Sequence, residues 1–172
     1  MKELRGQKIS IGIISLVFVF FLYAGVSLAQ QDPRLDLKTT AEKEVKVKKN
    51  GKLAVERVPV VKTAKGDVLV YTITYLNVGK TPAIDAEVVD PIPREVSIIT
   101  ESVEGKDTEI QGSIDNGRTW QKLPVMMELK KPDGKTEVKA APPERYSHIK
   151  WIVKKPIQSG QSGKVSFKVK VK

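Results

Sequence analysis

Between Val68 and Tyr75 the chain alternates. Leu69, Tyr71, Ile73 and Tyr75 fall on one face of an extended backbone, and Val68, Val70, Thr72 and Thr74 on the other. A period of two in β-branched and aromatic residues fits a pleated strand and no helix. The second face is itself fairly apolar, which predicts a strand in the middle of a sheet. Gly66 and Asp67 open the run, and Asn77-Val78-Gly79-Lys80-Thr81-Pro82 closes it with turn chemistry. Asn and Gly tolerate positive φ, and Pro82 has no N–H to give to a ladder. A second strand follows, with Ala86 and Val88 facing one way and Asp85, Glu87 and Val89 the other, until Asp90-Pro91-Ile92-Pro93 stops it.

Other segments carry the same signature. Lys43–Lys49 and Leu53–Val61 flank Asn50-Gly51, a strong two-residue hairpin signal, and Pro59 predicts an edge or a bulge. Residues 30–42 read as a flexible lead-in and 43–172 as one domain. Val96–Glu101 is a short strand, Glu104-Gly105-Lys106-Asp107 a turn, and Ile110–Trp120 a hairpin tipped by Asp115-Asn116-Gly117. Pro124–Leu129 reads as a strand and Lys130–Glu144 as a long surface loop. Ile149, Trp151 and Val153 share one face of a late strand; Val165, Phe167, Val169 and Val171 share one face of the last. About nine short strands, with no helical apolar period after the first residues, predict an all-β antiparallel sandwich.

The start differs in kind. Lys2, Arg5 and Lys8 precede an apolar run from Ile9 to Tyr23, and Ser27-Leu28-Ala29 supplies the small residues that a signal peptidase reads. Residues 1–29 therefore read as a cleavable signal segment of an exported protein, periplasmic or at the cell surface. The competing reading is a retained membrane anchor, since Ile9–Leu28 nearly spans a bilayer. The 172-residue chain has no cysteine, so the domain relies on packing alone and is no disulfide scaffold. The formal net charge is +10, of which the first 29 residues carry two charges, leaving about +8 on the remainder.

The order Gly66-Asp67, Tyr71-Thr72-Ile73-Thr74, Asn77, Gly79, Pro82-Ala83, Val88, Asp90 and Pro93 resembles the conserved-repeat β-sandwich family called domain of unknown function eleven. The resemblance runs from Lys43 to Lys172 and includes the Trp151 strand, the glycine-rich link and the valine-rich last strand. It implies an immunoglobulin-like sandwich of the kind found in bacterial and archaeal envelope and secreted proteins. It brings no catalytic residues. Family members often occur as tandem copies, whereas this chain has room for one.

Chemistry is sparse. Ser113-Ile114-Asp115-Asn116-Gly117-Arg118-Thr119-Trp120 fits S-x-D-x-G-x-T-W and resembles the Asp-box hairpin of sialidases and other propeller proteins. Ser113, Asp115, Gly117, Thr119 and Trp120 are read as a structural turn, because a propeller needs several repeats and the chain has one. Asp85 and Glu87, two apart on a strand, are read as a solvated face rather than an acid–base pair. Asp90 shares the inward parity of Val88 and is expected to accept backbone N–H bonds. Asp67, Asp85 and Asp90 lack the loop spacing of a calcium site. His148, alone and without cysteine, makes no zinc site and reads as exposed. No cofactor or metal is expected.

The basic surface is the remaining signal. If the last two strands pair, Lys150, Lys154, Lys164, Lys168 and Lys170 form one stripe that attracts acidic polymers. Edge protection is the competing role of such lysines. The expected function is a non-enzymatic, exported structural or interaction module of the cell envelope. It would bind a protein partner or an acidic envelope polymer, not nucleic acid, and would meet a membrane only through a retained leader. A glycan-acting enzyme or carbohydrate-binding module, argued from the Asp-box-like hairpin, and a strand-exchanging assembly subunit are the alternatives.

Overall fold

The computed structural model describes residues 33–172. The expected signal segment and its cleavage after Ala29 fall outside the described residues. Those residues form eleven antiparallel strands and one 3-10 turn, Pro143–Arg145, without an α-helix. The strands are β1 (Leu35–Lys49), β2 (Lys52–Pro59), β3 (Val68–Asn77), β4 (Glu87–Pro91), β5 (Val96–Gly105), β6 (Thr108–Ser113), β7 (Gln121–Lys122), β8 (Met126–Lys130), β9 (Thr136–Ala140), β10 (His148–Val153) and β11 (Ser162–Val171). A five-stranded sheet has the order β2-β1-β3-β11-β5, a four-stranded sheet β4-β10-β6-β7, and β8-β9 form a separate ribbon. All lie within Gln31–Lys172, which is a compact unit by itself.

The inward faces meet as the alternation predicts. Ile73 on β3, Val165, Phe167 and Val169 on β11, and Ile149, Trp151 and Val153 on β10 are all buried in one core. Trp151 is fully buried, with its ring 5.9 Å from Phe167 across the sheets, and Tyr71 stacks on Phe167 at 5.3 Å. The Trp151 indole N–H donates to the carbonyl of Glu104 at 3.1 Å, so the largest core side chain leaves no polar atom unpaired. The arrangement is a β-sandwich-like all-β fold. As its two-sided apolar pattern predicts, β3 is the middle strand of its sheet, and β2, with Pro59, is an edge. Asn50 and Gly51 take φ of 48° and 78°, the double positive φ of a type I′ hairpin turn.

Three expectations are corrected. Leu35–Glu42 is no loose lead-in: it is the first half of β1, paired with β3 from Leu35↔Asn77 to Glu42↔Val70. Lys130–Glu144 is not one long loop, because Thr136–Ala140 returns as β9 against β8 around a turn at Gly134, φ 81°. The last two strands do not pair. β10 lies between β4 and β6, and β11 between β3 and β5, so their outward side chains leave the molecule on opposite sides.

One close approach fixes a glycine. A Cβ on Gly163 would lie 2.2 Å from the Tyr75 ring, which crosses the start of β11. Tyr75 is buried, so no larger residue fits there without displacing it.

Candidate functional site

Because β3 is flanked by β1 and β11, register sets rows of outward side chains across three strands. The first row is Lys38, Thr74 and Lys164; the second is Thr40, Thr72 and Ser166; the third is Glu42, Val70 and Lys168. Arg57 and Pro59 of β2 border these rows on one side, and Glu104, Gly105 and Lys106 on the other. Together they line a cavity of about 1000 Å³ on the outer face of the five-stranded sheet. Its floor presents hydroxyls and its margin presents cations. Among the described residues, Lys38, Arg57, Lys106 and Lys164 make no ion pair.

The charge is graded along this face. Ser166 Oγ donates to Glu104 Oε1 at 2.8 Å, and Lys168 Nζ to Glu44 Oε1 at 2.7 Å. An adjoining cavity of about 500 Å³ holds Glu44, Glu101 and Glu104 against Arg57 and Lys168. Acidic groups thus gather at one end and uncompensated lysines at the other. An anionic group has its favourable position beside Lys38, Lys106 and Lys164.

The expected lysine stripe divides between the two sheets. Lys164, Lys168 and Lys170 lie on β11 and face out from the five-stranded sheet. Lys150 lies on β10 and faces out from the four-stranded sheet, and Lys154 follows it. Lys150 is not free to bind a polymer: it is only 9% exposed, its Nζ donates to Glu87 Oε1 at 3.0 Å, and it sits 4.7 Å from the centre of the Trp120 ring. Lys154 Nζ lies 2.6 Å from Glu109 Oε2, and this bond lowers the Glu109 pKa. Of the five lysines, Lys164 and Lys170 alone make no ion pair among the described residues. Sequence reasoning missed Lys38, Arg57 and Lys106. The signal that could have found them is the row of hydroxyls at outward positions, Thr40, Thr72, Thr74 and Ser166, which marks one shared surface.

The Asp-box-like turn is a closed hydrogen-bond unit. Ser113 Oγ donates to Asp115 Oδ1 at 2.7 Å and accepts from the Gly117 N–H at 2.9 Å. The N–H groups of Arg118 and Thr119 donate to Asp115 Oδ1, and Thr119 Oγ1 donates to Oδ2 at 2.6 Å. Hydrogen bonds from Thr119, then from Ser113, hold the Asp115 carboxyl far below its ordinary range. Both carboxylate oxygens of Asp115 thus accept hydrogen bonds from within the turn, three at Oδ1 and one at Oδ2. Trp120 leaves the turn and meets the His148 ring edge-on at 6.3 Å.

The residues that carry the sequence resemblance noted above hold connections. Asn77 is fully buried; its Nδ2 donates to the carbonyls of Thr81 and Ile157, both at 2.8 Å, and its Oδ1 accepts from the Gly79 N–H at 2.9 Å. Ser159 Oγ donates to the Gly79 carbonyl, and Ala83, after Pro82, bridges Ile157. Asn77 therefore ties together the two segments that cross between the sheets. Asp67 accepts from the Ala64 N–H at 2.7 Å and from Lys43 Nζ at 3.2 Å, which lowers its pKa, while Gly66 N–H donates to Val171. The Pro93 carbonyl accepts from the Val96 N–H.

Asp90 departs from expectation. Among the described residues no backbone N–H reaches its carboxyl; burial raises its pKa, opposed by the nearby His148. His148 is not simply exposed either: its Nδ1 is buried, without a hydrogen-bond partner, beside the Gly117 turn. Glu87 pairs with Lys150, and Asp85 lies before β4 in the left-handed region at φ 49°. Among the described residues no three His, Cys, Asp or Glu side chains converge as metal ligands. Comparison of the chain with protein-family models, with curated proteins and with solved structures returns no match.

Proposed function

We propose that the protein is a non-enzymatic, exported, immunoglobulin-like module of the cell envelope that binds an acidic polymer on the outer face of its five-stranded sheet. The observation that carries this reading is the set of cross-strand rows in which Lys38 and Lys164 flank Thr74 above the hydroxyls of Thr40, Thr72 and Ser166. Unpaired cations attract phosphate or carboxylate groups, and hydroxyls at fixed strand spacing hydrogen-bond to a polyhydroxylated chain. An acidic patch on a partner protein meets the same requirements. The basic start, the apolar run and Ser27-Leu28-Ala29 support export. The order of Gly66, Asp67, Asn77, Gly79, Pro82, Asp90 and Pro93 supports kinship with the conserved-repeat family.

The test is titration of residues 30–172 with a phosphate-bearing glycan and with its uncharged counterpart, at rising salt. Binding confined to the charged polymer, weakened about tenfold or more by combined Lys38→Gln, Lys106→Gln and Lys164→Gln, agrees with the proposal. The variant's melting temperature should be unchanged, because these side chains make no ion pair among the described residues. Equal binding of both polymers, or binding that persists above about 0.5 M salt, where exposed charges are screened, contradicts it.

A further inference from the structure

The β1–β2 hairpin reaches past the sheet that holds it. β1 pairs with β3 only as far as Glu44↔Val68, yet it pairs with β2 out to Lys49↔Lys52. Residues 45–56 therefore form a two-stranded ribbon with no third strand beside them among the described residues. Five residues of β1 beyond Glu44 carry it about 16 Å from the sheet.

The ribbon's composition is unlike that of a solvated arm. Register places Leu53 opposite Lys48 and Val55 opposite Lys46 on one face, and Val47 opposite Ala54 on the other, next to Val45. Leu53 is 78% exposed and Val55 59%, and none of these five aliphatic residues joins the core. Val45 to Glu56 holds four lysines and one glutamate. The glutamate is committed, because Glu56 pairs with Lys49, which leaves Lys46, Lys48 and Lys52 without an ion pair among the described residues.

We infer that this hairpin is a docking element for an anionic phospholipid surface. Leu53 and Val55 enter the boundary between headgroups and acyl chains, and Lys46, Lys48 and Lys52 bind lipid phosphates. A bilayer suits a thin ribbon with aliphatic side chains on both faces, because a boundary medium surrounds the ribbon, whereas a protein groove or a soluble polymer covers one side. Lysine stems lie along apolar surface while their ammonium groups stay at the phosphate level. Apolar contact and cationic attraction together give reversible anchoring. A second copy of this chain is disfavoured as occupant, since two ribbons would bring like charges together. This inference stands apart from the sheet-face proposal, because Leu53 and Val55 take no part in the cavity there.

The experiment is co-sedimentation of residues 31–172 with vesicles of phosphatidylcholine alone and of phosphatidylcholine mixed with phosphatidylglycerol. The compact unit alone is used so that the apolar run before it contributes nothing. Binding should be about tenfold or more stronger to the mixed vesicles and should fall about tenfold in Leu53→Ser/Val55→Ser. Both side chains are exposed, so that variant should keep its circular dichroism and melting temperature. In Leu53→Trp, the new indole should shift its emission to shorter wavelength on the mixed vesicles, and the Lys38, Lys106 and Lys164 variant should still sediment. Absence of binding to either vesicle overturns the inference. So does equal binding by the serine variant, which would mean adsorption by charge alone. A wild-type dimer in sedimentation equilibrium that the serine variant dissolves would assign the hairpin to a second copy instead.

Discussion

The two outer faces of the sandwich carry similar residues and do different things with them. On the four-stranded sheet, Lys150 is enclosed between Glu87 and Trp120, and Lys154 meets Glu109. On the five-stranded sheet, Lys38, Arg57, Lys106 and Lys164 stand around a row of hydroxyls without ion pairs among the described residues. The first face commits Lys150 and Lys154 to structure, and the second leaves Lys38, Lys106 and Lys164 available. Net charge in a sequence therefore measures an upper limit on binding surface. What remains depends on which carboxylates the strand register places within reach.

The largest expected effect tests whether the two faces rest on one core. Trp151→Ala removes the side chain that joins them and should cost about 3–5 kcal/mol, read by denaturant unfolding. Both faces should be lost in a single transition; separate transitions would mean that the sheets are independently stable. Next comes the end of the sandwich. Asn77→Ala removes three buried or half-buried hydrogen bonds, from the Gly79 N–H and to the Thr81 and Ile157 carbonyls, at a cost of about 1–3 kcal/mol. Polymer affinity of the folded variant should be unchanged, because Asn77 faces away from the rows.

A matched pair of lysines sharpens the contrast between the faces directly. Lys150→Met should lower stability by about 1 kcal/mol through loss of the Glu87 pair and the Trp120 contact, and leave polymer binding alone. Lys164→Gln should do the reverse, with stability unchanged within about 0.5 kcal/mol and binding weakened.

The smallest effects are those of pH. Burial raises the Asp90 pKa. Its ionised form is thus disfavoured in the folded state, and stability declines as pH rises through the folded pKa. Asp90→Asn should raise the melting temperature near about pH 7 and make little difference near about pH 3, where wild type is protonated in both states. Asp115 has the opposite sign. Its pKa is lowered by Thr119 and Ser113, so its contribution is present above the unfolded carboxylate pKa and declines as pH falls toward the folded value. Asp115→Ala should lower the melting temperature near about pH 7, by less as the solution is acidified, with no change in polymer binding.

Much of the fold is legible where one face is buried and the other is not. The alternation of β3, β10 and β11 predicts their buried residues, and Asn50-Gly51 predicts its turn from backbone chemistry alone. Pairing is another matter, because two strands adjacent in sequence can enter either the same sheet or opposite sheets with the same alternation. β10 and β11 take the second course, and the expected stripe of lysines divides with them. β9 shows no alternation because all five of its residues are exposed. β1 was readable further back than Lys43, since Leu35, Leu37, Thr39 and Ala41 alternate with Asp36, Lys38, Thr40 and Glu42. The enclosure of Lys150 could not be read, because it depends on Glu87 and Trp120 arriving from distant parts of the chain.

The most direct measurement is amide chemical-shift mapping of residues 30–172 during titration with a phosphate-bearing glycan. Perturbations concentrated at Lys38, Thr40, Thr72, Thr74, Lys106, Lys164 and Ser166, with Glu87, Gln111 and Lys150 unmoved, are the predicted result. Perturbations centred on the four-stranded sheet, or spread evenly over every exposed lysine, would contradict the assignment of binding to the five-stranded face.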